Sequence, residues 1–216
     1  MPNSRLIDLK LPAGLHLTDA FLKKIAAYHP LIEHLSCYKL CRREAVDECK
    51  NPFDDFTNLT SLSVKLGISF PWPGYNEADQ DYETITNGLL VRIRAIFKNL
   101  RIKSLELSGY DFRNHRNEYK GIWSHTELVI PSPVTTPHLI KTLVHLRLHL
   151  SLAVRQVEYL LFHCRNLETL WLERVDNCKE YPPMITSHQQ MSPFLWSLTL
   201  SFCSDKDWWV SYKLLL

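Results

Sequence analysis

Two histidines and two cysteines near the start of the chain have a spacing that suggests a metal site. His29, His34, Cys37 and Cys41 are close in sequence, and imidazole nitrogens and thiolates are the usual protein ligands of zinc. A tetrahedral zinc site requires all four ligand atoms to converge. In an extended segment, however, side chains alternate between two faces, so His34 and Cys37 point in opposite directions. We therefore expect no metal ion, and no other cofactor, at these residues.

Basic residues are concentrated in the segment VRIRAIFKNLRIK, as in a nucleic-acid interface. The cations are Arg92, Arg94, Lys98, Arg101 and Lys103. The apolar residues between them have helical spacing and would form a core face, which leaves the charges on a solvated outer face. The acidic segment GYNEADQDYE just upstream would neutralise part of this charge, and the formal net charge of the whole chain is only +2. We do not expect nucleic acid to be the partner.

Catalytic signatures are missing from the sequence. It contains no phosphate-binding P-loop, no His-Glu-x-x-His zinc motif, no Gly-x-Ser-x-Gly nucleophile turn and no dinucleotide glycine pattern. No nucleophile and base are paired by an evident spacing. We therefore predict a protein that is not an enzyme and has no catalytic residues.

The most regular pattern in the chain is an apolar residue followed by others three and five positions later. It occurs in copies that start at Leu6, Ile32, Leu59, Ile102, Leu143, Leu167 and Leu195. Four of the intervals between starts are about 24 to 28 residues long, which is the period of a leucine-rich repeat. The other two intervals contain an extra segment of about 15 residues. In each copy the fourth and sixth residues have strand alternation and point inward, and the first closes the corner before the strand.

Helical spacing predicts helices between several of these strands. The first would begin at Thr18 or Asp19 as N-cap and stop at Pro30, with an apolar face of Phe21, Leu22, Ile25 and Tyr28. A second, before the fourth strand, would bury Leu89, Leu90, Ile93, Phe97 and Leu100. A third, before the sixth strand, would bury Val154, Val157, Leu160, Leu161 and Cys164. Prolines at 52, 182 and 183 favour coil in other connections.

The predicted fold class is therefore α/β, a leucine-rich-repeat solenoid of about seven repeats with a curved parallel sheet and outer helices and coils. One domain would span residues 1–216, with insertions near 67–84 and 109–138. The first strand begins soon after Met1, and neither end has the polar cap typical of solenoids. This favours a fragment or a gene product truncated at both ends.

Two segments carry a family resemblance. LTDAFLKKIAAYHPLIEHLSC and VEYLLFHCRNLETLWLERV resemble the cysteine-containing leucine-rich repeat of F-box proteins, whose unit runs helix, Cys-x-x-Leu, strand. Cys164, Leu167, Leu170 and Leu172 match that unit, whereas residues 29–30 replace the cysteine and its neighbour in the earlier copy. The irregular spacing is similar to that of divergent F-box and leucine-rich-repeat proteins of filamentous fungi.

The resemblance implies a protein-protein interaction module, namely the substrate-recognition repeats of an F-box subunit of a cullin-RING ubiquitin ligase. The F-box, the helical segment that docks the ligase adaptor, is expected to be absent because its only faint candidate, residues 11–44, already satisfies two repeats. The implied partner is an unknown protein target, with adaptor contact only through a missing F-box. The alternative is a stand-alone scaffold or regulatory binding protein unrelated to ubiquitin.

A protein partner would contact side chains that point away from the core, on the inner curve. The candidates are Arg147, Trp171, Glu173, His145, His149, Tyr38, Lys65 and Glu106. Trp171 beside Arg147 is the preferred patch, because exposed Trp and Arg are favoured interface anchors. The alternative is that Trp171 packs on a neighbouring repeat and covers apolar surface.

The two insertions provide a second set of candidates. Trp72 and Tyr75 lie among acidic residues in the first insertion, and Trp123 lies in the second, which is aromatic and basic. Long loops in compact domains are usually either functional or disordered. Partner contact, disorder and simple cover of the sheet edge remain open for both segments.

Composition predicts a globular chain, with 45% hydrophobic and 22% charged residues. It contains no 18-residue apolar run, and its N-terminus lacks the apolar segment of a signal peptide. These features predict an intracellular protein of the cytoplasm or nucleus without a membrane partner. The six cysteines fit that compartment as free thiols, and Cys37 and Cys164 are expected to be buried.

Overall fold

The computed structural model describes residues 5–12, 15, 17–41, 53–68, 100–109, 136–176, 192–203 and 209–215. The strands are β1 (Asp8–Lys10), β2 (His34–Cys41), β3 (Ser61–Ile68), β4 (Ser104–Gly109), β5 (His145–Ala153), β6 (Thr169–Asp176), β7 (Ser197–Cys203) and β8 (Trp209–Leu215). The helices are α1 (Asp19–Tyr28), α2 (Leu139–Thr142) and α3 (Val154–His163).

The eight strands of the described residues form one sheet in chain order. Strands β1 to β7 are parallel, and each pairs with the next. The fourth residues of the sequence copies are aligned across the sheet, as in the pairs Leu35 with Leu62 and Leu146 with Leu170. The predicted parallel sheet of an α/β protein is therefore confirmed, with every predicted strand in place.

Strand β8 is an addition that the apolar pattern does not predict. It pairs with β7 in the antiparallel direction, with Leu200 opposite Tyr212. Its segment is not counted among the seven copies of the apolar pattern, and its antiparallel pairing shows that it is not joined to β7 by a parallel crossover. Simple alternation of Val210, Tyr212 and Leu214 is the sequence signal that could have revealed it.

The core lies on one face of the sheet, where the predicted inward residues are buried. The buried fourth-position leucines are Leu35, Leu62, Leu105, Leu146, Leu170 and Leu198. The corresponding residue of β1, Leu9, is only partly buried and packs against this core. Strand β1 pairs with β2 alone among the described residues, so fewer side chains cover it. Full burial of a leucine side chain contributes about 1.5 to 3 kcal/mol.

The same backbone hydrogen bonds recur at the start of the strands. The carbonyl of Glu33 accepts from the amides of Thr60 and Ser61, at 2.8 and 3.0 Å. Equivalent pairs of amides donate at each junction from β1 to β7, to the carbonyls of Ile7, Glu33, Thr60, Lys103, Val144 and Glu168. Two asparagines add a side-chain bond at equivalent places, since Asn58 Nδ2 donates to Pro30 O at 2.8 Å and Asn166 Nδ2 to Lys141 O at 2.6 Å.

Helix α1 forms where the sequence predicts it, but its buried face is narrower than predicted. The Thr18 hydroxyl caps the helix by accepting from the Phe21 amide at 3.2 Å. Leu22 and Ala26, one helical turn apart, are buried. Phe21 and Tyr28 are 42% and 64% exposed, so their assignment to the apolar face is wrong. Each lies about 100° or more around the helix from Leu22, beyond the stripe that reaches the sheet.

Helix α3 also forms where it is predicted, and Val157, Leu160 and Leu161 are buried, as is Cys164 just after the helix; the side chain of Val154 lies outside the described part of the structure. The short helix α2 was not predicted. The predicted helix before β4 lies outside the described residues except for Leu100, which is buried. The predicted coils at prolines 52, 182 and 183 and nearly all of both insertions also lie outside. Among the described helices, none has the length and apolar character needed to cross a membrane.

Candidate functional site

The face of the sheet opposite the core presents polar residues from the third and fifth positions of the sequence copies. Four fifth-position residues form a row across the sheet. Register pairs join Glu106 to Arg147, Arg147 to Trp171, and Trp171 to Thr199. Strands β4 to β7 therefore place an acid, a base, an aromatic ring and a hydroxyl side by side.

Arg147 lies between its two neighbours in this row and contacts both. Its Cζ is 3.3 Å from the centroid of the Trp171 ring, which is a close cation-π contact. Its Nε is 3.5 Å from Glu106 Oε1. The Arg147 side chain is 38% exposed and Trp171 is 37% exposed. Both groups are thus held in place while remaining accessible from solution.

Glu106 connects three strands. The hydroxyl of Ser63, on β3, donates to its Oε2 at 2.9 Å, and His149 Nε2, on β5, lies 3.0 Å from its Oε1. The His149 ring is also near Trp171, with 6.2 Å between ring centroids. The carboxylate therefore positions side chains from both neighbouring strands.

The electrostatics of this cluster favour an ionised Glu106. Partial burial raises the pKa of its carboxyl, but the hydrogen bonds from His149 and Ser63 and the positive charge of Arg147 lower it. Together the hydrogen bonds and the nearby positive charge outweigh the effect of burial, so the pKa of Glu106 lies below its ordinary value of 4.5. Glu106 therefore carries a full negative charge at neutral pH.

Arg147 has hydrogen-bonding capacity that the described part of the chain does not use. Its Nε is buried and donates to no acceptor, because the 3.5 Å approach to Glu106 lacks the geometry of a hydrogen bond. Its contacts with described residues are this ion pair and the Trp171 stack. A guanidinium carries five N–H donors, and they remain available within this part of the chain.

A groove of about 530 Å³ crosses strands β4 to β7 on this face. Arg147, Trp171 and Glu106 line it. The remaining polar lining consists of Ser104, His145, Thr169, Ser197 and Thr199. His145 Nδ1 lies 3.0 Å from Thr169 Oγ1, which joins two of these residues across β5 and β6. The groove combines one stacked cation with a rim of small groups that both donate and accept hydrogen bonds.

Only some of the predicted inner-curve residues come together in the structure. Arg147, Trp171, Glu106, His145 and His149 come together as described. Tyr38 and Lys65 pair with each other in register on β2 and β3, and neither lines the groove. Glu173 lies within β6. The insertion candidates Trp72, Tyr75 and Trp123 lie outside the described residues.

The site also contains residues that were not among the predicted candidates. Ser63 donates to Glu106, and Ser104, Thr169, Ser197 and Thr199 line the groove. Their hydroxyls are too common in sequence to stand out individually. Their position in the sequence pattern is the signal that would find them, because each is the third or fifth residue of its copy.

The cysteines and histidines considered for zinc occupy different environments. Cys37 is buried in the core, while His34 is exposed on the other face of β2. Within the described ranges, no group of three His, Cys, Asp or Glu residues could hold a metal ion. Cys164 is also buried, and burial raises its thiol pKa to about 12. It is therefore a neutral core residue at physiological pH and not a thiolate nucleophile.

No protein-family model matches the chain, and no curated protein is significantly similar to it.

Proposed function

We propose that this chain is a leucine-rich-repeat solenoid that binds another protein through the polar face of its sheet. Three features support the repeat. The strand-forming segments recur at the period of this class. Their fourth residues are aligned in one buried row. The hydrogen bonds at the start of successive strands are equivalent from β1 to β7, as expected when one structural unit is stacked on the next.

The observation that carries the binding function is the stacked pair of Arg147 and Trp171 in the groove. Trp and Arg are the residues most enriched among those that dominate binding energy at interfaces. The stack fixes both side chains before a partner arrives, which lowers the entropy cost of ordering them on association. Trp171 does contact its neighbour, as the packing alternative requires, but it covers a guanidinium and keeps more than a third of its surface exposed.

We extend the proposal, by resemblance, to the substrate-recognition repeats of an F-box subunit of a cullin-RING ubiquitin ligase. Cys164 and Leu167, which match the Cys-x-x-Leu unit of that family, are both buried, and this supports the resemblance. Residues 19–41, which lie within the faint F-box candidate, form helix α1 and strand β2, and β2 is part of the sheet. This supports the assignment of these residues to the repeats and not to an F-box, and the partner of the described face would be the target protein.

An affinity pull-down from cell extract with mass spectrometry tests the binding function. The test variant is the double substitution Arg147→Ala and Trp171→Ala. Its matched control is Phe162→Ala with Arg165→Ala, because Arg165 Cζ lies 4.8 Å from the Phe162 ring centroid and forms a similar contact at the end of α3. We expect one protein to be recovered with the wild type and the control but not with the test variant.

The melting temperature of each variant separates binding from folding. Recovery that is equal for all three proteins would contradict the proposal. Unfolding of the test variant alone would support the packing alternative for Trp171. Recovery of a ligase adaptor together with the target would support the ubiquitin part of the proposal, and recovery of the target without any ubiquitin component would favour the stand-alone scaffold.

A further inference from the structure

The hydrogen-bonding inventory of the groove indicates what a partner must supply. The Glu106 carboxylate is already satisfied by Ser63 and His149. Arg147, by contrast, makes no hydrogen bond with the described residues, and its Nε is buried. Nε itself is covered, but the side chain is 38% exposed, so an incoming acceptor would bind the terminal N–H groups of the guanidinium. The unmet requirement of the groove is therefore for an acceptor at the guanidinium.

The geometry of Arg147 favours a carboxylate as that acceptor. The Trp171 ring covers one face of the guanidinium and holds its plane, which leaves the N–H edge for a ligand. A carboxylate matches this planar edge with two parallel hydrogen bonds, and such charge-assisted bonds are about twice as strong as neutral ones. Glu106 lies 3.5 Å from Arg147 and offsets its charge, so a singly charged group suits the site better than a dianion.

The groove around Arg147 suits an extended peptide. Ser104 on β4, Thr169 on β6, and Ser197 and Thr199 on β7 line it, and His145 lines it from β5, so the lining spans four adjacent strands. Four strands at the usual spacing span about 14 Å, which an extended chain covers with about four or five residues. Hydroxyl groups both donate and accept, so they can serve the amides and carbonyls of such a chain.

We propose that the groove binds an extended segment of a partner protein that carries one aspartate or glutamate, whose carboxylate pairs with the Arg147 guanidinium over the Trp171 ring. This inference rests on the proposed function and adds the chemistry of the target. The polar lining of the groove would bind the backbone of the segment, and Arg147 would select the acidic side chain.

Selection from a phage library of random seven-residue peptides on the immobilised full chain provides the probe. We expect the selected peptides to share an acidic residue at one position. One selected peptide, and the same peptide with Asn or Gln in place of the acid, are then synthesised and titrated calorimetrically. The amide peptide is expected to bind about tenfold more weakly or worse, because it loses the charge-assisted pair.

Two protein variants assign the effect to Arg147. Arg147→Gln should weaken the acidic peptide by a similar factor and should bind the acidic and amide peptides equally. Arg101→Gln is the matched control, since Arg101 is an exposed arginine that does not line the groove, and it should bind as the wild type does. Thermal melting checks that both variants are folded, and the amide peptide tests the inference without any protein variant.

The outcomes separate this inference from the proposed function. If a peptide no longer binds the Trp171→Ala variant, but its acidic and amide forms bind the wild type equally well, the carboxylate assignment is overturned. Protein binding in the groove would then still stand. Acidic peptides that bind Arg147→Gln as tightly as the wild type would also overturn it. If no selected peptide depends on the groove, both the inference and the proposed binding face are wrong.

Discussion

The Cζ atom of Arg147 lies 3.3 Å from the centroid of the Trp171 ring, across neighbouring strands β5 and β6. The two residues occupy equivalent fifth positions in adjacent copies of the sequence pattern, so parallel pairing in register places them side by side. Glu106, at the equivalent position of β4, approaches Arg147 from the other side. The cluster of Glu106, Arg147 and Trp171 on the exposed face therefore follows from the same strand register that aligns the leucines on the buried face.

The Arg147 and Trp171 contact should be measurable as a coupling free energy. Urea denaturation of the wild type, Arg147→Ala, Trp171→Ala and the double variant should give a coupling of about 0.5 to 1 kcal/mol, because both groups are partly exposed. The equivalent cycle on Phe162 and Arg165 is the comparison and should give a smaller value, since that contact is 4.8 Å long. Strictly additive effects of Arg147→Ala and Trp171→Ala would show that the stack contributes nothing to stability.

Leu170 tests the assignment of the buried face. It is 1% exposed and lies in the aligned leucine row between Leu146 and Leu198. Leu170→Ala should lower the free energy of unfolding by about 2 to 5 kcal/mol, through lost burial and a residual cavity. Thr199→Ala, on the opposite face, is the control and should change it by no more than about 0.5 kcal/mol. A cost for Leu170→Ala as small as that of the control would contradict the register of the sheet.

The Glu106 cluster should make part of the stability dependent on acid. The pKa of Glu106 is lowered by folding, so its contribution is fully present above the ordinary value of 4.5 and is lost as pH falls through the lower folded value. Because the side chain is more than a third exposed, we expect the contribution to be below about 1 kcal/mol. Urea midpoints of the wild type and Glu106→Gln, compared at about pH 7 and about pH 3, measure it.

The expected result is a stability difference between wild type and Glu106→Gln that is present at neutral pH and shrinks in acid. Ser63→Ala removes one hydrogen bond to the carboxylate and should show the same trend with a smaller amplitude. A difference that stays constant between the two pH values would mean that the ionised state of Glu106 does not contribute to folding.

Cys164 should be unreactive in the native protein. Its side chain is fully buried, and burial raises its thiol pKa to about 12. A short pulse of iodoacetamide at about pH 8, followed by peptide mapping, should leave Cys164 unmodified, because alkylation requires the thiolate. The same pulse in concentrated urea should modify it, since unfolding restores both access and an ordinary pKa. Equal modification in both conditions would place Cys164 outside the core.

The secondary structure of the sheet could be predicted because it depends on short-range patterns. The spacing of Leu167, Leu170 and Leu172 places a corner and two inward side chains within six residues, and the structure buries all three. Thr18 could be identified as a helix cap for the same reason, since a cap depends on the next three residues. Burial of Phe21 and Tyr28 was predicted wrongly because helical spacing does not define how wide the contact with the sheet is.

The sequence by itself thus determined the parallel strands, their order and the residues of each face. The recurrence of the apolar pattern along the chain indicates the strands and their order. Periods of two and of 3.6 residues, which depend on neighbouring residues alone, indicate the faces. Only the tertiary structure decided how the exposed side chains interact. Ser63 and His149 meet Glu106 from 43 residues away in either direction. These contacts depend on the packing of neighbouring strands and on the side-chain rotamers that this packing allows, and no local pattern specifies either of them.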